Sequence, residues 1–327
     1  MHDQMTISVI ICTYNGEKYI TDQLESILRQ DMPVTQIIIS DDHSTDRTPD
    51  IITKFASRNA GLIQVTINEN NIGIVRNFEK ALRLCDGDFI FFSDQDDIWE
   101  IFKVRETLAY FSCNPECDVL FSDAVLINDQ QEILHSSIWE QLGFNDTIRT
   151  QQAFDIFRHL LLFRNVVTGA CLAIRKQALG YLIPFPEEKY MLHDQWIGLR
   201  SASQHKLKFL PEKLIRYRIH SQQQTKSIWA SNSDELNLFR ESLIAENANL
   251  FPRKYLDYWI RKLSTTEVFK NLGIGSDDKI KEEIITNIRK GMIAWLSSQT
   301  FYIRKIYILK GLIKRKPWVS VLDILRL

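Results

Sequence analysis

Three aspartates crowd into four positions in the stretch "FIFFSDQDDIWE" (residues 89–100), directly after an apolar run that reads as a buried strand. Side chains two apart point the same way in an extended or turning backbone. Asp94 and Asp96 can therefore converge on one hard divalent cation, with Mg²⁺ or Mn²⁺ the natural occupant. An acidic surface turn is the plainer reading of an isolated Asp-x-Asp. A calcium loop of the EF-hand type is excluded, because a loop counted from Asp94 has no glycine at its sixth position and no acid at its twelfth.

Other polar clusters carry compatible chemistry. "SDDHSTDRTPDII" offers Asp41 and Asp42, either of which can accept hydrogen bonds from a base or ribose, followed by Ser44 or Thr45 as candidate helix caps. In "TYNG", Tyr14 can stack on a base while Asn15 and Gly16 make a turn. "MLHDQWIGL" sets Asp194 at a helix start, as a functional acid or as a cap. "LIRYRIHSQQQT" alternates Arg216, Arg218 and His220, which puts all three on one face, suited to phosphate or to a purely structural role. No glycine-rich phosphate loop is present, which argues against a dehydrogenase or P-loop kinase and leaves a metal as counterion for any pyrophosphate.

The elements that must position these residues are legible as alternating patterns. "ISVIIC", "QIIIS", "LIQVTI" and "DFIFF" are short apolar runs, separated by the helical patterns "KYITDQLESILRQ", "TPDIITKFASR" and "VRNFEKALRLC". Such runs indicate parallel strands covered on both faces, so the fold class expected is a doubly wound α/β sheet. Ligands bind such sheets outside the carboxyl ends of the strands, where three of the polar clusters fall. From about Val104 to His220 the pattern is less regular. There "DVLFSDAVLINDQQEILH" suggests a hairpin through Asn128 and Asp129, and "VVTGACLAI" another buried strand, giving a mixed extension of the sheet. Past Thr225 the strands give way to long helical patterns.

Composition narrows the function. The 327 residues are 45% hydrophobic and 25% charged with a formal net charge of -1, so a polyanion-binding role and a nucleic-acid partner are disfavoured. Five cysteines, odd in number and mostly in apolar segments, suit reduced thiols and a cytoplasmic protein. Neither a secretory leader nor a spanning helix is expected.

In this order and spacing, "SVIICTYNGEKYITDQLESILRQ", "SDDHSTDRT", "NNIGIVRNFEKAL", "FFSDQDDIW", "NVVTGACLAI", "HDQW" and "YRIHSQQQT" resemble the family 2 glycosyltransferases of the GT-A fold. The nearest likeness is to the bacterial rhamnosyltransferase branch of cell-surface polysaccharide synthesis. The resemblance covers about residues 7–226 and implies an inverting transfer from a nucleotide-diphosphate sugar to a hydroxyl of a glycan or polyprenol-linked acceptor. It implies that Thr13 and Tyr14 line the nucleotide pocket, Asp42 faces the base and Arg76 lies near the base or diphosphate. Asp94 would approach the ribose and metal, Asp96 would bind the metal, His220 would lie near diphosphate or metal, and Asp194 would be the catalytic base. Asn15, Asp41 and Arg218 complete the expected donor-binding set. Where many relatives carry Gly or Asn, this chain has His43. It also has Ile101 near a usual proline, Gln195 and Trp196 where relatives show two tryptophans, and Gln223 where they have asparagine.

The organisation expected is a GT-A domain over 1–226, with a nucleotide-sugar half (1–100) and an acceptor-side half (101–226), then a helical extension over 227–327. In its last stretch, 301–327, seven basic residues accompany one acid, and Tyr302, Ile306, Leu309 and Ile313 share a helical face. That pattern suits peripheral contact with the inner face of the cell membrane, or a packed helix with a solvated basic side. The alternative for the whole chain is a catalytically silent sugar-nucleotide-binding or scaffold protein of a polysaccharide assembly complex.

Overall fold

The computed structural model describes residues 5–151, 155–162, 164–187, 191–221 and 223. The helical extension expected over 227–327, its basic stretch 301–327 and the boundary after residue 226 lie outside the described residues.

The first half follows the alternation of the sequence. β1 (Ile7–Thr13), β2 (Gln36–Asp41), β3 (Ile63–Ile67) and β4 (Phe89–Ser93) lie parallel in the order β3-β2-β1-β4. The crossovers are α1 (Ile20–Leu28), α2 (Thr48–Arg58) and α3 (Ile74–Leu82). β1 and β4 are apolar on both faces because both are covered, and Ile10, Ile11, Phe91 and Phe92 are fully buried. Each such side chain contributes roughly 1.5–3 kcal/mol of hydrophobic stabilisation. In α1 the buried stripe is Ile20, Leu24 and Ile27, the one-face spacing of a helix against a sheet. α3 adds a polar pin: Asn77 Nδ2 donates to the Ser40 carbonyl (2.7 Å), and its Oδ1 accepts from Ser40 Oγ (2.7 Å).

The second half holds β5 (Ile98–Trp99), α4 (Lys103–Cys113), β6 (Val119–Ile127), β7 (Ile133–His135) and four short helices, α5 (Ile138–Gln141), α6 (Asp146–Arg149), α7 (Ile156–Leu162) and α8 (Leu179–Leu182). β8 (Leu172–Arg175), α9 (His193–Ala202) and β9 (Leu207–Arg218) complete it. The sheet continues β4-β8-β6-β9-β5 with β7 on β6. β8 runs antiparallel to β4 and β6, so the extension is mixed as expected. The hairpin forms where expected, with Asn128 Oδ1 accepting from the N–H groups of Gln130 and Glu132 (both 2.9 Å). Two local readings differ. α4 did not stand out in the sequence, and the strand read in "VVTGACLAI" begins only at Leu172. Asn165 explains the latter: its amide holds both the N–H (3.1 Å) and the carbonyl (3.0 Å) of Val167, replacing ladder bonds, and a 3₁₀ turn over Gly169–Cys171 follows. Among the described residues, no helix is long and apolar enough to cross a membrane.

Candidate active site

Strand register gathers the polar clusters at one edge. Thr13 pairs with Asp41, Asp41 with Ile67, and Ile11 with Ser93, so the loops after β1, β2, β3 and β4 all leave from neighbouring strand ends. Between the first two loops almost every polar group is internally matched. Asp41 is fully buried and accepts from Thr13 Oγ1 (2.7 Å), Ser44 N–H (2.8 Å) and Ser44 Oγ (2.6 Å). Asn15, at a left-handed φ of 50°, donates its N–H to Ser44 Oγ (2.8 Å) and accepts from Thr45 N–H through Oδ1 (2.9 Å). Ser44 and Thr45 are thus occupied in the loop. It is Asp46 that accepts the Thr48 N–H at the start of α2 (2.9 Å), correcting the expected caps.

The expected base-facing acid is engaged inside the protein as well. Asp42 is 3% exposed; its Oδ1 accepts from Asn68 Nδ2 (2.9 Å) and Ile72 N–H (2.8 Å), and its Oδ2 from Gly73 N–H (2.9 Å). Arg76 pairs with Glu79 (3.2 Å) and Glu187. Tyr14 is 41% exposed at this edge. Its backbone is clamped by a residue that motif reading passed over: Gln95 Oε1 accepts the Tyr14 N–H (2.9 Å) and Gln95 Nε2 donates to the Tyr14 carbonyl (3.1 Å). A side chain at Gly16 would collide with that amide, its Cβ falling 2.3 Å from Oε1. Gln95 thereby ties the loop after β1 to the acidic loop after β4.

The acidic end is built differently. Asp94 and Asp194 each keep some surface open, yet the surrounding protein strips water from their carboxyls. Burial, then the charge of Asp96, then that of Asp194, pushes Asp94 up to about 8. Asp194 is pushed up to about 6 by burial, moderated by hydrogen bonds from the Gln195 N–H (2.6 Å), its own N–H, the Asn165 side chain and the Gly169 backbone. Asp97 is buried and raised well above the usual range by burial and by Asp96 and Asp94. One of its oxygens accepts the Arg218 N–H (3.0 Å), and the other has no hydrogen-bond partner among the described residues. Asp96 Oδ2 meets His220 Nε2 at 2.8 Å, and the His220 ring lies 4.6 Å from that of Tyr19.

Asp94, Asp96 and His220 bring the chemistry of a cation site together. Carboxylates of Asp94 and Asp96 with the imidazole of His220 are the donor chemistry of a Mg²⁺ or Mn²⁺ centre, and the raising of Asp94 by burial and by its acidic neighbours marks a position that a cation would favour. The residues fit a divalent cation. They do not stand as a ready-made ligand triad, since among the described residues no group of three His, Cys, Asp or Glu is arranged around one point, and His220 addresses Asp96 directly.

Two further expectations are corrected. Arg216, Arg218 and His220 do not form one cationic face: Arg216 is exposed and pairs with Glu100 (2.7 Å). Arg218 is 1% exposed, and its guanidinium donates to the carbonyls of Asp96 (2.8 Å) and Asp129 (3.2 Å) and to Asp22 (3.3 Å), over the Tyr19 ring. It braces the acidic loop from within. Asp194 is not the cap of α9, whose N-cap position is Leu192; it sits in the first turn. Its positioning partners Asn165 and Gly169 were missed, though the glycine ahead of an apolar run was a usable signal. A Cβ at Gly169 would fall 2.8 Å from His193 Nε2. The His193 ring is buried and stacked on Phe78 (4.0 Å), wedging the first turn of α9.

A family profile described as "Glycosyl transferase family 2" matches residues 8–181. An uncharacterized protein of Mycobacterium bovis is 28% identical over 239 residues, 72% of this chain and 64% of that protein. The dTDP-rhamnosyl transferase RfbG of Shigella flexneri is 31% identical over 173 residues, 52% of this chain and 55% of its own. The chain thus spans less than two thirds of the length of these relatives. Among solved structures, Staphylococcus aureus TarS 1-349 in complex with UDP-GlcNAc aligns with a TM-score of 0.57 at 19% identity, covering 90% of this chain and 74% of that one. The mannosyltransferase PcManGT of Pyrobaculum calidifontis, in complex with GDP-Man and Mn²⁺, aligns with a TM-score of 0.53 at 13% identity, covering 97% and 83%. At these identities the likeness shows the fold, which is of the GT-A type.

Proposed function

The chain belongs to glycosyl transferase family 2, and from that premise we propose that it is an inverting, metal-dependent glycosyltransferase with Asp194 as general base. The donor is a nucleotide-diphosphate sugar, dTDP-rhamnose or a UDP-sugar, and the acceptor a hydroxyl of a cell-surface glycan or its lipid-linked precursor. Support for this donor range comes from the names of the relatives. The observation that carries the reading is the group of Asp94, Asp96 and Asp194 at the carboxyl end of the sheet, where burial and the charges of Asp96 and Asp194 raise Asp94.

In the proposed reaction Asp194 takes the acceptor proton as the hydroxyl oxygen bonds to the anomeric carbon. The bond from that carbon to the diphosphate oxygen breaks on the opposite face, so the configuration inverts. With Asp194 pushed up to about 6, the acid is ionised at neutral pH yet basic enough to assist. Asn165 and the Gly169 and Gln195 N–H groups hold its orientation. Asp94 and Asp96, with His220 beside them, would hold a Mg²⁺ or Mn²⁺, which would supply charge stabilisation to the departing nucleoside diphosphate. Arg218 and Gln95 fix the two loops that present these residues.

The test is a panel of nucleotide sugars incubated with the purified chain, Mn²⁺ and acceptor glycans, with nucleoside diphosphate release as readout. Turnover of one donor is expected. Donor binding without transfer or hydrolysis under any condition would favour the silent scaffold instead.

A further inference from the structure

The imidazole of His193 is a buried polar group beside the site that the proposed reaction leaves unused. It is 4% exposed, and neither ring nitrogen has a hydrogen-bond partner among the described residues. Burial pushes it down to about 3, so the ring is neutral at any working pH and puts no charge beside Asp194. A buried polar group without a partner costs stability, and an apolar side chain of similar size would fill the slot without that cost. What the ring contributes therefore lies in its shape and its place.

Three elements meet on it. One face is stacked on Phe78 of α3, with centroids 4.0 Å apart, and the ring runs nearly parallel to Phe92 of β4 at 6.2 Å. Phe92 stands two residues before Asp94, so the ring is braced against the strand that carries the acidic loop. Its edge meets the third element, the 3₁₀ turn Gly169–Cys171. A Cβ on Gly169 would fall 2.8 Å from His193 Nε2 and 3.5 Å from its Cε1, but at an ordinary 3.8 Å from Asp194 Cβ. The φ of Gly169 is not in the left-handed region, so its backbone suits alanine and it is the ring edge that excludes a side chain. The same glycine gives its backbone N–H to the Asp194 carboxylate, one of the hydrogen bonds that keep this acid from rising further.

We propose that His193 is a positioning residue for Asp194 and acts through Gly169: the stacked ring fixes how closely the Gly169–Cys171 turn approaches the first turn of α9, and with it the seat of the Gly169 N–H on the carboxylate. The inference rests on the general-base reading above and adds to it which residue sets the base. Without that N–H the charged form of Asp194 loses a donor and the acid holds its proton more tightly. With its midpoint one pH unit above 6, about half of Asp194 would be protonated at pH 7, and only the ionised half can act as a base.

Titration of the Asp194 carboxyl carbon by NMR, in the full metal-free chain labelled with ¹³C at the aspartate carboxyls, tests this without a substrate. The resonance is identified by its loss in Asp194→Asn. Asp94, which feels the charge of Asp194, faces it from the loop after β4 and is present in every variant; Asn165, Gly169 and Gln195, which give it hydrogen bonds, are uncharged. The wild-type midpoint is expected near 6. His193→Ala removes the brace, and Gly169→Ala presses on the ring from the other side. Each should raise the midpoint by about one pH unit, the scale of one hydrogen bond to a charged group. In the double variant the new Cβ enters the space the ring has left, so the rise should match that of His193→Ala alone. A midpoint that stays in place in either folded single variant, or rises that add in the double, overturns the positioning role and leaves Asp194 as the candidate base. Should His193→Ala fail to fold, Gly169→Ala decides alone, since it keeps the ring and must still move the midpoint. Shifted midpoints together with near-normal transfer by Asp194→Asn keep the positioning role and overturn the base reading instead.

Discussion

The two sides of the candidate site use the same residue type in opposite ways. On the donor-loop side, Asp41 and Asp42 are enclosed by hydroxyl and N–H donors and carry the geometry of two loops. On the acidic side, Asp94, Asp97 and Asp194 are desolvated, Asp94 feels the charges of Asp96 and Asp194, and one oxygen of Asp97 has no donor among the described residues. The first set is finished as the chain folds. The second becomes favourable only when something positive arrives, so the difference separates carboxylates that build the site from carboxylates that operate it.

The largest effect should come from breaking the operating side. Asp96→Ala removes an expected metal ligand and the partner of His220, so transfer should fall below detection and affinity for nucleoside diphosphate should weaken. Excess EDTA should reproduce the loss in the wild type, with recovery on added Mn²⁺. Full activity in EDTA would return the acidic loop to a surface turn.

Asp194→Asn follows in size. It keeps the size of the side chain and one acceptor oxygen while removing its basicity, so kcat should drop by about 10²–10⁴. Affinity for the donor should stay near wild type, because the donor is held by the strand-end loops. A folded variant with a near-normal rate would require another base. Asp97 is poorly placed for that role, being buried with the Arg218 N–H on one oxygen.

How far this contrast was legible in the sequence follows from its physical origin. The four parallel strands, their crossovers and the clustering of polar loops at one edge were readable, because apolar runs and helical periodicity are local signals. Asp94, Asp96 and Asp194 stood out by residue type and position. What sequence did not reveal was satisfaction: whether a carboxylate is enclosed by donors depends on residues such as Asn68, Gly73 and Arg218, far away along the chain. Arg218 is the clearest case, since strand alternation places it beside Arg216 but not inside the protein. Gln95 was equally hidden, because an amide between two acids announces nothing until the loop after β1 is seen in its grasp.

Stability measurements sharpen the comparison without relying on activity. Asp42→Ala strands three N–H donors and should lower stability by on the order of 2–3 kcal/mol, read as a lower denaturant midpoint. Asp94→Ala removes an acid that burial and its neighbours penalise, so in metal-free buffer the variant should be as stable as wild type or more so. Equal losses from the two substitutions would erase the distinction between the two sides.

The smallest effect is a count of protons. Asp94 is raised from an ordinary carboxylate value to about 8, so between roughly pH 4 and 8 the folded, metal-free chain holds a proton that the unfolded chain has released. Its contribution to stability therefore falls as pH rises through that window, and the slope should shrink in Asp94→Ala. The same proton must leave before the carboxylate can bind a cation. Calorimetric titration with Mn²⁺ at pH 7, in two buffers of different ionisation enthalpy, should then report release of about one proton per ion in the wild type. The Asp94→Ala variant should bind more weakly and release close to none. Proton-neutral binding by the wild type would mean that Asp94 is already ionised, and with it that the acidic side has a counterion of its own.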